Sequence, residues 1–349
     1  MTQDQTSPFL LPPNNHHLVS LREASALIDS GRFFVLGAEE SLLRQLPRGN
    51  WIAGTIPYFM AQDGGTTTRN QIFISEVPVL AGPPVIREYD NAGLPRVCAD
   101  APASGFSLII LPAFSEVHSS FARNAPDYEE MFMSPLAGWV SGIHLDDLGK
   151  ASPFVVNGQT GVLTSERAVV MHVPLPDDMI ARIDILNVFK QGSGDAIRFP
   201  EASFSVSNCL INGRTVNFSD YLVANNVDSR LPLVADYHGA MVNVCVKGND
   251  RERHVVDFYA PVFEDTVYRV AAPIGDYVQQ FIAASSGVKT DSVVFSCNCV
   301  LNYMYSELEG KRTGTARGPM TFGEVAYQLL NQTLVYMMIE RVGPETARA

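Results

Sequence analysis

Val293-Val-Phe-Ser-Cys-Asn-Cys299 is an apolar run that ends in two cysteines flanking an asparagine. Short apolar runs rich in β-branched and aromatic residues are typical of buried strands. About twenty residues further on, Gly318-Pro-Met-Thr-Phe-Gly-Glu-Val325 brings a hydroxyl group, a glycine and a carboxyl group close together. Leu330-Asn-Gln-Thr-Leu334 then leads into a last apolar stretch. The region therefore predicts two buried strands with a polar, loop-like segment between them.

A second segment of this kind lies near the N-terminus. Gly49-Asn-Trp-Ile-Ala-Gly-Thr-Ile-Pro-Tyr-Phe59 combines a strand pattern with an internal glycine, Gly54, next to the hydroxyl group of Thr55. A glycine inside a strand pattern indicates that another part of the backbone or a ligand approaches closely. We expect strands at 51–59 and at 293–297.

The chain between these segments alternates helix and strand signals. Ser20 and Glu23 form a capping box, and Gly31 is placed to end the helix that starts there. The stretch from Ser115 to Val140 is mostly helical in pattern, with breaks at two prolines. Later segments predict a hairpin at 154–163 and a helix with Pro273 in its first turn.

Gln191-Gly-Ser-Gly-Asp195 is the best linker candidate, because three flexible residues separate two structured stretches. Both halves mix many strands with a few helices. The predicted class is α+β, with two strand-rich lobes whose mixed sheets pack together and whose helices lie outside. The predicted divisions are a tail at 1–18, an N-terminal lobe at 19–195, a C-terminal lobe at 196–342 and a tail at 343–349.

The motifs resemble the FIST family, whose N- and C-terminal domains occur in bacterial signalling proteins and in some F-box proteins. In its C-terminal pattern a strand ends in a cysteine, a Gly-x-x-Thr-x-Gly-Glu segment follows (here Gly318 to Glu324), and a final strand contains Asn-x-Thr (here Asn331 to Thr333). The resemblance is good over residues 200 to 341 and looser over 30 to 190. After the cysteine, Cys299-Val-Leu-Asn302 stands where the family often has an arginine and a glycine.

The resemblance implies a stand-alone bacterial member without an output domain, whose two lobes correspond to the FIST N- and C-terminal domains. The family's role implies binding or sensing of a small ligand, such as an amino acid or a related metabolite, in signal transduction. Because glycines at strand ends leave space that side chains would otherwise fill, we expect one pocket between the lobes. Its predicted ligand-binding residues are Gly54, Thr55, Cys297, Asn298, Thr321, Gly323 and Glu324.

Glu324 is the strongest candidate among these residues, because a carboxylate beside a glycine can bind an amine or can accept hydrogen bonds from backbone N–H groups. Asn331 and Thr333 can orient it or can satisfy backbone groups instead. Cys297 and Cys299 lie on one face of a strand, as alternation requires. They are either buried structural thiols or groups that face a ligand.

Two other functions stay open at this stage. The first is a cysteine-dependent hydrolase or transferase, which needs a histidine in space, and His238 and His254 are the ones available in this half. The second is a protein-interaction module. We expect binding rather than catalysis, with no catalytic residues and no cofactor.

Metal binding is not expected. His144 with Asp146 and Asp147 resembles half of a metal site, but such a turn is usually solvated. His16 and His17 complete no coordination sphere by themselves.

Composition limits the partners and the compartment. The chain has 349 residues, 46% of them hydrophobic and 18% charged, with a formal net charge of −12. That charge repels phosphate backbones and anionic lipids, so we expect no nucleic acid and no membrane, and a signalling protein as the macromolecular partner. The five scattered cysteines and the lack of a secretory pattern predict a cytoplasmic protein.

Overall fold

The computed structural model describes residues 7–8, 15–237, 240–286 and 292–342. Strands dominate this part of the chain, with a few short helices, so the predicted α+β class is confirmed. Most of the predicted N-terminal tail, and the whole tail at 343–349, lie outside the described residues, as does His238. Within the described part, residues 16–18 belong to a strand and are not part of a tail.

The first third of the chain forms unit 1, after a short strand β1 (Ser7–Pro8). Its elements are β2 (His16–Val19), α1 (Leu21–Asp29), β3 (Phe33–Ala38), α2 (Glu40–Leu43), β4 (Trp51–Thr55), β5 (Tyr58–Ala61), β6 (Gly64–Thr67) and β7 (Ile72–Val77). Helix α1 begins after Ser20, whose side chain accepts from the Glu23 backbone N–H, while the Glu23 side chain accepts from the Ser20 backbone. The predicted capping box is confirmed.

Unit 2 follows. Its elements are β8 (Val85–Tyr89), β9 (Gly105–Pro112), α3 (Glu116–Asn124), β10 (Leu136–Ser141), β11 (Val155–Asn157), β12 (Val162–Thr164) and β13 (Ala168–Pro174), with 3₁₀ turns at Leu94–Arg96, Ala125–Asp127 and Leu145–Asp147. The predicted hairpin at 154–163 is confirmed as β11 and β12. The helical prediction for Ser115 to Val140 is wrong at its C-terminal end, because β10 pairs along its length with β9.

Unit 3 begins with β14 (Met179–Leu186) and ends with α5 (Tyr277–Ser285), β24 (Val293–Cys299), α6 (Val300–Tyr305), β25 (Gly318–Thr321), β26 (Glu324–Ala326), β27 (Gln328–Leu330) and β28 (Leu334–Arg341). The strand predictions at 51–59 and 293–297 are confirmed, with a two-residue break at Ile56 and Pro57. Helix α5 starts later than predicted, because the Asp276 side chain caps it by accepting from Gln279 N.

An insertion separates β14 from the rest of unit 3. It contains β15 (Ile197–Arg198), β16 (Ser203–Val206), β17 (Asn208–Ile211), β18 (Arg214–Asn217), α4 (Phe218–Ala224), β19 (Leu233–Tyr237), β20 (Ala240–Val244), β21 (Val246–Asp250), β22 (Val255–Val262) and β23 (Tyr268–Val270). These strands form a six-stranded sheet and a three-stranded sheet of their own. Phe199, Phe218 and Tyr268 lie in their shared core.

The three units build three sheets with one strand pattern. Sheet 1 has the order β12-β11-β4-β3-β7-β2, sheet 2 has β27-β26-β10-β9-β13-β8, and sheet 3 has β6-β5-β25-β24-β28-β14, with β1 also on β28. In each sheet the two middle strands are parallel and all other pairings are antiparallel. A parallel pair needs a crossover, and α2, α3 and α6 supply it. The described chain therefore contains a threefold structural repeat that its sequence does not show.

Each unit gives one hairpin to a neighbour. The hairpin of unit 1 (β5 and β6) extends sheet 3, that of unit 2 (β11 and β12) extends sheet 1, and that of unit 3 (β26 and β27) extends sheet 2. The predicted division at residue 195 therefore fails as a lobe boundary, because sheets 2 and 3 contain strands from both sides of it. Only the insertion, which starts near that point, builds separate sheets.

The exchange of hairpins gives the three sheets a common core. One cluster of buried side chains draws on all three units, including Phe59, Trp139 and Met337. No helix in the described part of the chain is long and apolar enough to cross a membrane.

Candidate functional site

Gly54 and Thr55 end strand β4, where the sequence predicts a wall of the pocket. A Cβ atom on Gly54 would lie 2.7 Å from Cη2 of Trp139 and 3.0 Å from Cβ of Ser141. The glycine therefore allows the Trp139 ring to pack against the strand and leaves no space. The Thr55 hydroxyl accepts from the backbone N–H of Phe154 at 2.9 Å, which is a structural contact.

Cys297 and Asn298 lie on β24 and are also packed. The Cys297 thiol donates to the carbonyl oxygen of Gly138 on β10, with 3.2 Å between sulfur and oxygen. The Asn298 side-chain oxygen accepts from Cys299 N and from Nδ2 of Asn302. The cavity beside these two residues has a volume of about 10 Å³, which is near the minimum for one water molecule.

Thr321, Gly323 and Glu324 follow on β25 and β26 and are buried. The Thr321 hydroxyl lies 2.9 Å from the carbonyl oxygen of Gly323 and 3.2 Å from that of Asn298. Its proton is therefore donated to the backbone. Glu324 pairs with Trp139 across the sheet. The predicted residues thus gather around β10 in a solid core, and the shared open pocket predicted from the two glycine segments is not formed.

The Glu324 carboxyl group is fully buried, although no cationic side chain contacts it among the described residues. Its Oε2 atom accepts from the backbone N–H of Thr333 at 3.0 Å and from the Thr333 hydroxyl at 2.8 Å. Its Oε1 atom has no hydrogen-bond partner in the described part of the chain. Burial raises the pKa of Glu324 to about 8, against the lowering effect of the Thr333 donors and of the nearby Cys299 side chain. At neutral pH the group is therefore mostly protonated and uncharged.

Three thiols surround this carboxyl group. Burial, together with the nearby Glu324, raises the pKa of Cys245, Cys297 and Cys299 well above the usual range of a thiol. Thiolate is the nucleophilic form of cysteine. The three thiols therefore stay protonated and unreactive at neutral pH, and the geometry does not favour cysteine-dependent catalysis.

A cleft of about 490 Å³ opens next to this cluster, between the insertion and unit 3. The loop before β19, the start of α5 and the segment after α6 form its walls. The polar residues in these walls include Asp228, Arg230, Asp276, Tyr277, Glu307, Lys311 and Gln332. The volume of the cleft lies in the range of small-molecule sites.

Gln332 connects the cleft to the buried cluster. Its Oε1 atom accepts from the Cys245 thiol at 2.9 Å, and its Nε2 atom donates to the carbonyl oxygen of Arg230. Its φ angle is 52°, in the left-handed region that non-glycine residues rarely adopt. Backbone strain of this kind concentrates at functional sites. Gln332 is therefore a wall residue held in a costly conformation by contacts on both sides.

Charges of both signs line the cleft. Arg230 forms a two-pronged ion pair with Asp228, with Nε and Nη2 at 3.0 and 2.7 Å from the two carboxylate oxygens. Among the described residues, the Nζ atom of Lys311 donates only to the carbonyl oxygen of Ser306, at 3.3 Å. Glu307, at a φ angle of 49°, faces the same space. The lysine and the glutamate can thus serve a ligand that carries both an acidic and a basic group.

Sequence reasoning missed this cleft. It selected Asn331 and Thr333 but passed over Gln332 between them, although Gln332 is the one that reaches the cleft. The other wall residues come from separate segments spread over residues 189–311 of the chain. Only the fold brings them together, so no local pattern could have found them.

The metal hypotheses find no support in the described residues. His144 Nδ1 lies 3.6 Å from Asp146, but Asp147 pairs with Arg69 at 2.8 Å. His16 bonds to Ser75 and to the carbonyl oxygen of Val293. No group of three or more His, Cys, Asp or Glu side chains suited to a metal occurs in that part of the chain.

The sequence matches a protein-family model over most of its length. The chain matches no curated protein. Residues 19–340 match a family of unknown function, DUF6976. This range runs from the end of β2 in unit 1 to the last strand of unit 3 and includes the insertion. The chain belongs to the DUF6976 family.

Proposed function

We propose that this protein binds a small polar ligand of amino-acid type in the cleft between the insertion and unit 3. The observation that carries the proposal is Lys311, a cleft side chain with one weak backbone contact, which lines the same cleft as the acidic Glu307. An α-amino acid or a related metabolite offers a carboxylate to the lysine and an amine to the glutamate. The size of the cleft suits such a molecule.

A sensory role extends this proposal. Gln332 contacts the cleft on one side and the Cys245 thiol on the other, and Cys245 lies between β20 and β21 of the insertion. A ligand that displaces the Gln332 amide would break its hydrogen bond to Cys245 and so change a contact between unit 3 and the insertion. This route supports a signal passed to a partner protein, in the cytoplasm, where five unpaired cysteines are expected. The resemblance to FIST domains stays a prediction.

A thermal-shift screen of amino acids and their derivatives tests the proposal, followed by calorimetry with the best ligand. Lys311→Gln should weaken binding about tenfold or more, the usual loss for a hydrogen bond to a charged group. Lys150→Gln is the matched control, because that exposed lysine also donates to a backbone carbonyl, that of Asp146. Absence of any stabilising ligand would contradict the function, and equal affinity in the Lys311 variant would exclude the cleft.

A further inference from the structure

A second cavity lies on unit 1, on the side of sheet 1 covered by α2. Its volume is about 260 Å³. The hydrophobic side chains that line it are Leu43, Leu46, Trp51, Val156 and Leu163. Leu46 and Leu163 are the partly exposed ones among them, and the other three are buried. Two guanidinium groups, from Arg44 and Arg48, stand at its edge. The walls come from two units, since the hairpin β11 and β12 is the one that unit 2 gives to sheet 1.

The threefold repeat shows that this space is specific to unit 1. In unit 2 the crossover helix α3 packs on the exchanged hairpin, and Phe121 lies in one buried cluster with Leu329. In unit 3 the hydroxyl group of Tyr303 on α6 lies 3.1 Å from the Thr67 hydroxyl on β6. Unit 1 has only the four-residue helix α2 at this place. The helix that closes the gap elsewhere is too short here, and a cavity remains.

The cavity walls are held in place without a ligand. The Trp51 indole N–H donates to the carbonyl oxygen of Pro47 at 3.0 Å, which fixes the ring. A Cβ atom at Gly158 would lie 2.3 Å from that ring, so only glycine allows the hairpin to approach it. The site is therefore preformed, which lowers the cost of binding.

The edge of the cavity is positive in an otherwise acidic protein. Arg44 pairs with Glu40 at 2.6 Å. Arg48 has no ion pair or hydrogen bond in the described part of the chain, and its Nε lies 3.4 Å from the position that a Cβ on Gly161 would take. A planar guanidinium group binds carboxylates with two parallel hydrogen bonds. The partly exposed Leu46 and Leu163, with an unpaired arginine at the mouth of the cavity, fit a molecule that is apolar at one end and acidic at the other.

We propose that this cavity binds a small apolar carboxylate, with the ring or chain against Leu46 and Leu163 and the carboxylate on Arg48. An apolar cavity of roughly 150 Å³ is enough for benzene, so the present volume holds an aryl group and a short acidic arm. This site is separate from the cleft, and its residues take no part in the function proposed above.

Calorimetry with phenylacetate tests the proposal, with uncharged phenylacetamide as the matched ligand. We expect saturable binding of phenylacetate and at least tenfold weaker binding of the amide. Arg48→Gln should reduce the affinity for phenylacetate about tenfold or more. Arg253→Gln, at an exposed arginine of the insertion, should leave it unchanged. Amide NMR spectra should place the largest ligand-induced shifts at Gly158 and Gly161.

A variant that fills the cavity gives an independent check. Leu163→Phe adds volume to the cavity wall and should abolish binding, while thermal unfolding verifies that the variant folds. If that variant does not fold, the Arg48 variant and the NMR shifts decide the question. No binding of phenylacetate at millimolar concentration, equal affinity for the amide, or shifts centred elsewhere would each overturn the proposal.

Discussion

Glu324 and His172 are two buried titratable groups in sheet 2, on β26 and β13, which flank the two central strands. Both imidazole nitrogens of His172 have partners, the Ser107 hydroxyl at 2.7 Å and the Tyr89 hydroxyl at 2.9 Å. Glu324 has donors on one oxygen only, among the described residues. The first arrangement is typical of a structural network, whereas in the second one oxygen of a buried acid has no hydrogen-bond partner in the described part of the chain.

The two groups respond to pH in opposite directions. Burial lowers the pKa of His172 to about 4, so its contribution to stability is complete above its unfolded value of 6.5 and is lost as pH falls towards 4. Burial raises the pKa of Glu324 from 4.5 to about 8, so its contribution is complete below pH 4.5 and is lost as pH rises towards 8. Both groups are thus held in their neutral forms near pH 6 to 7.

The largest effect is expected for His172→Ala. The substitution removes a buried ring and leaves the hydroxyl groups of Ser107 and Tyr89 without their partner. Cavity formation together with lost hydrogen bonds predicts a decrease of about 3 to 5 kcal/mol in the free energy of unfolding. Denaturant unfolding at pH 7 measures it. His254→Ala is the control at an exposed histidine paired with Asp220, and an equal loss in both variants would contradict a network at His172.

Glu324→Gln should give a smaller effect that depends on pH. Glutamine has the shape of the protonated acid and retains an acceptor for Thr333, but it cannot ionise. One pKa unit corresponds to about 1.4 kcal/mol. The free energy of unfolding of the variant, relative to that of the wild type, should therefore increase by about 2 to 3 kcal/mol when the pH is raised from 5 to 7. Unfolding curves at the two pH values measure this gain.

The exposed Glu252→Gln is the control for removal of a charge. A difference between Glu324→Gln and the wild type that does not change with pH would show that Glu324 ionises normally in the folded protein. The conclusion that burial keeps both groups neutral would then be wrong, because it would hold for His172 alone.

The sequence predicted the elements of the fold better than their arrangement. Local signals identified α1 through its capping box, the hairpin β11 and β12, and the strand β24. They failed at β10, because its strand conformation depends on parallel pairing with β9 and not on its own pattern. The threefold repeat is likewise a property of pairing between distant strands, and the exchanged hairpins conceal it further.

The site prediction was limited for the same reason. Cys297, Thr321 and Glu324 do meet, as the motif suggested, but Trp139 from another unit fills the space beside Gly54. A glycine in a strand indicates close approach without saying whether a ligand or a side chain approaches. The raised pKa of Glu324 could not be derived from sequence either, since it depends on complete burial among residues that are far apart in the chain, such as Trp139 and Cys245.

The smallest effect is expected for Thr333→Val. This substitution removes one of the hydrogen-bond donors to the Glu324 carboxyl group and so tests how Glu324 differs from the fully hydrogen-bonded His172. The Thr333 hydroxyl donates to Glu324 Oε2 at 2.8 Å, and the backbone N–H remains in the variant. Loss of one hydrogen bond predicts a decrease of about 1 kcal/mol at pH 5. Because the hydroxyl holds the pKa of Glu324 down, the loss should increase above pH 8, where the ionised carboxylate lacks that donor. Thr215→Val, at an exposed strand residue, is the control, and a loss that stays constant up to pH 9 would show that Thr333 does not act on the carboxyl group.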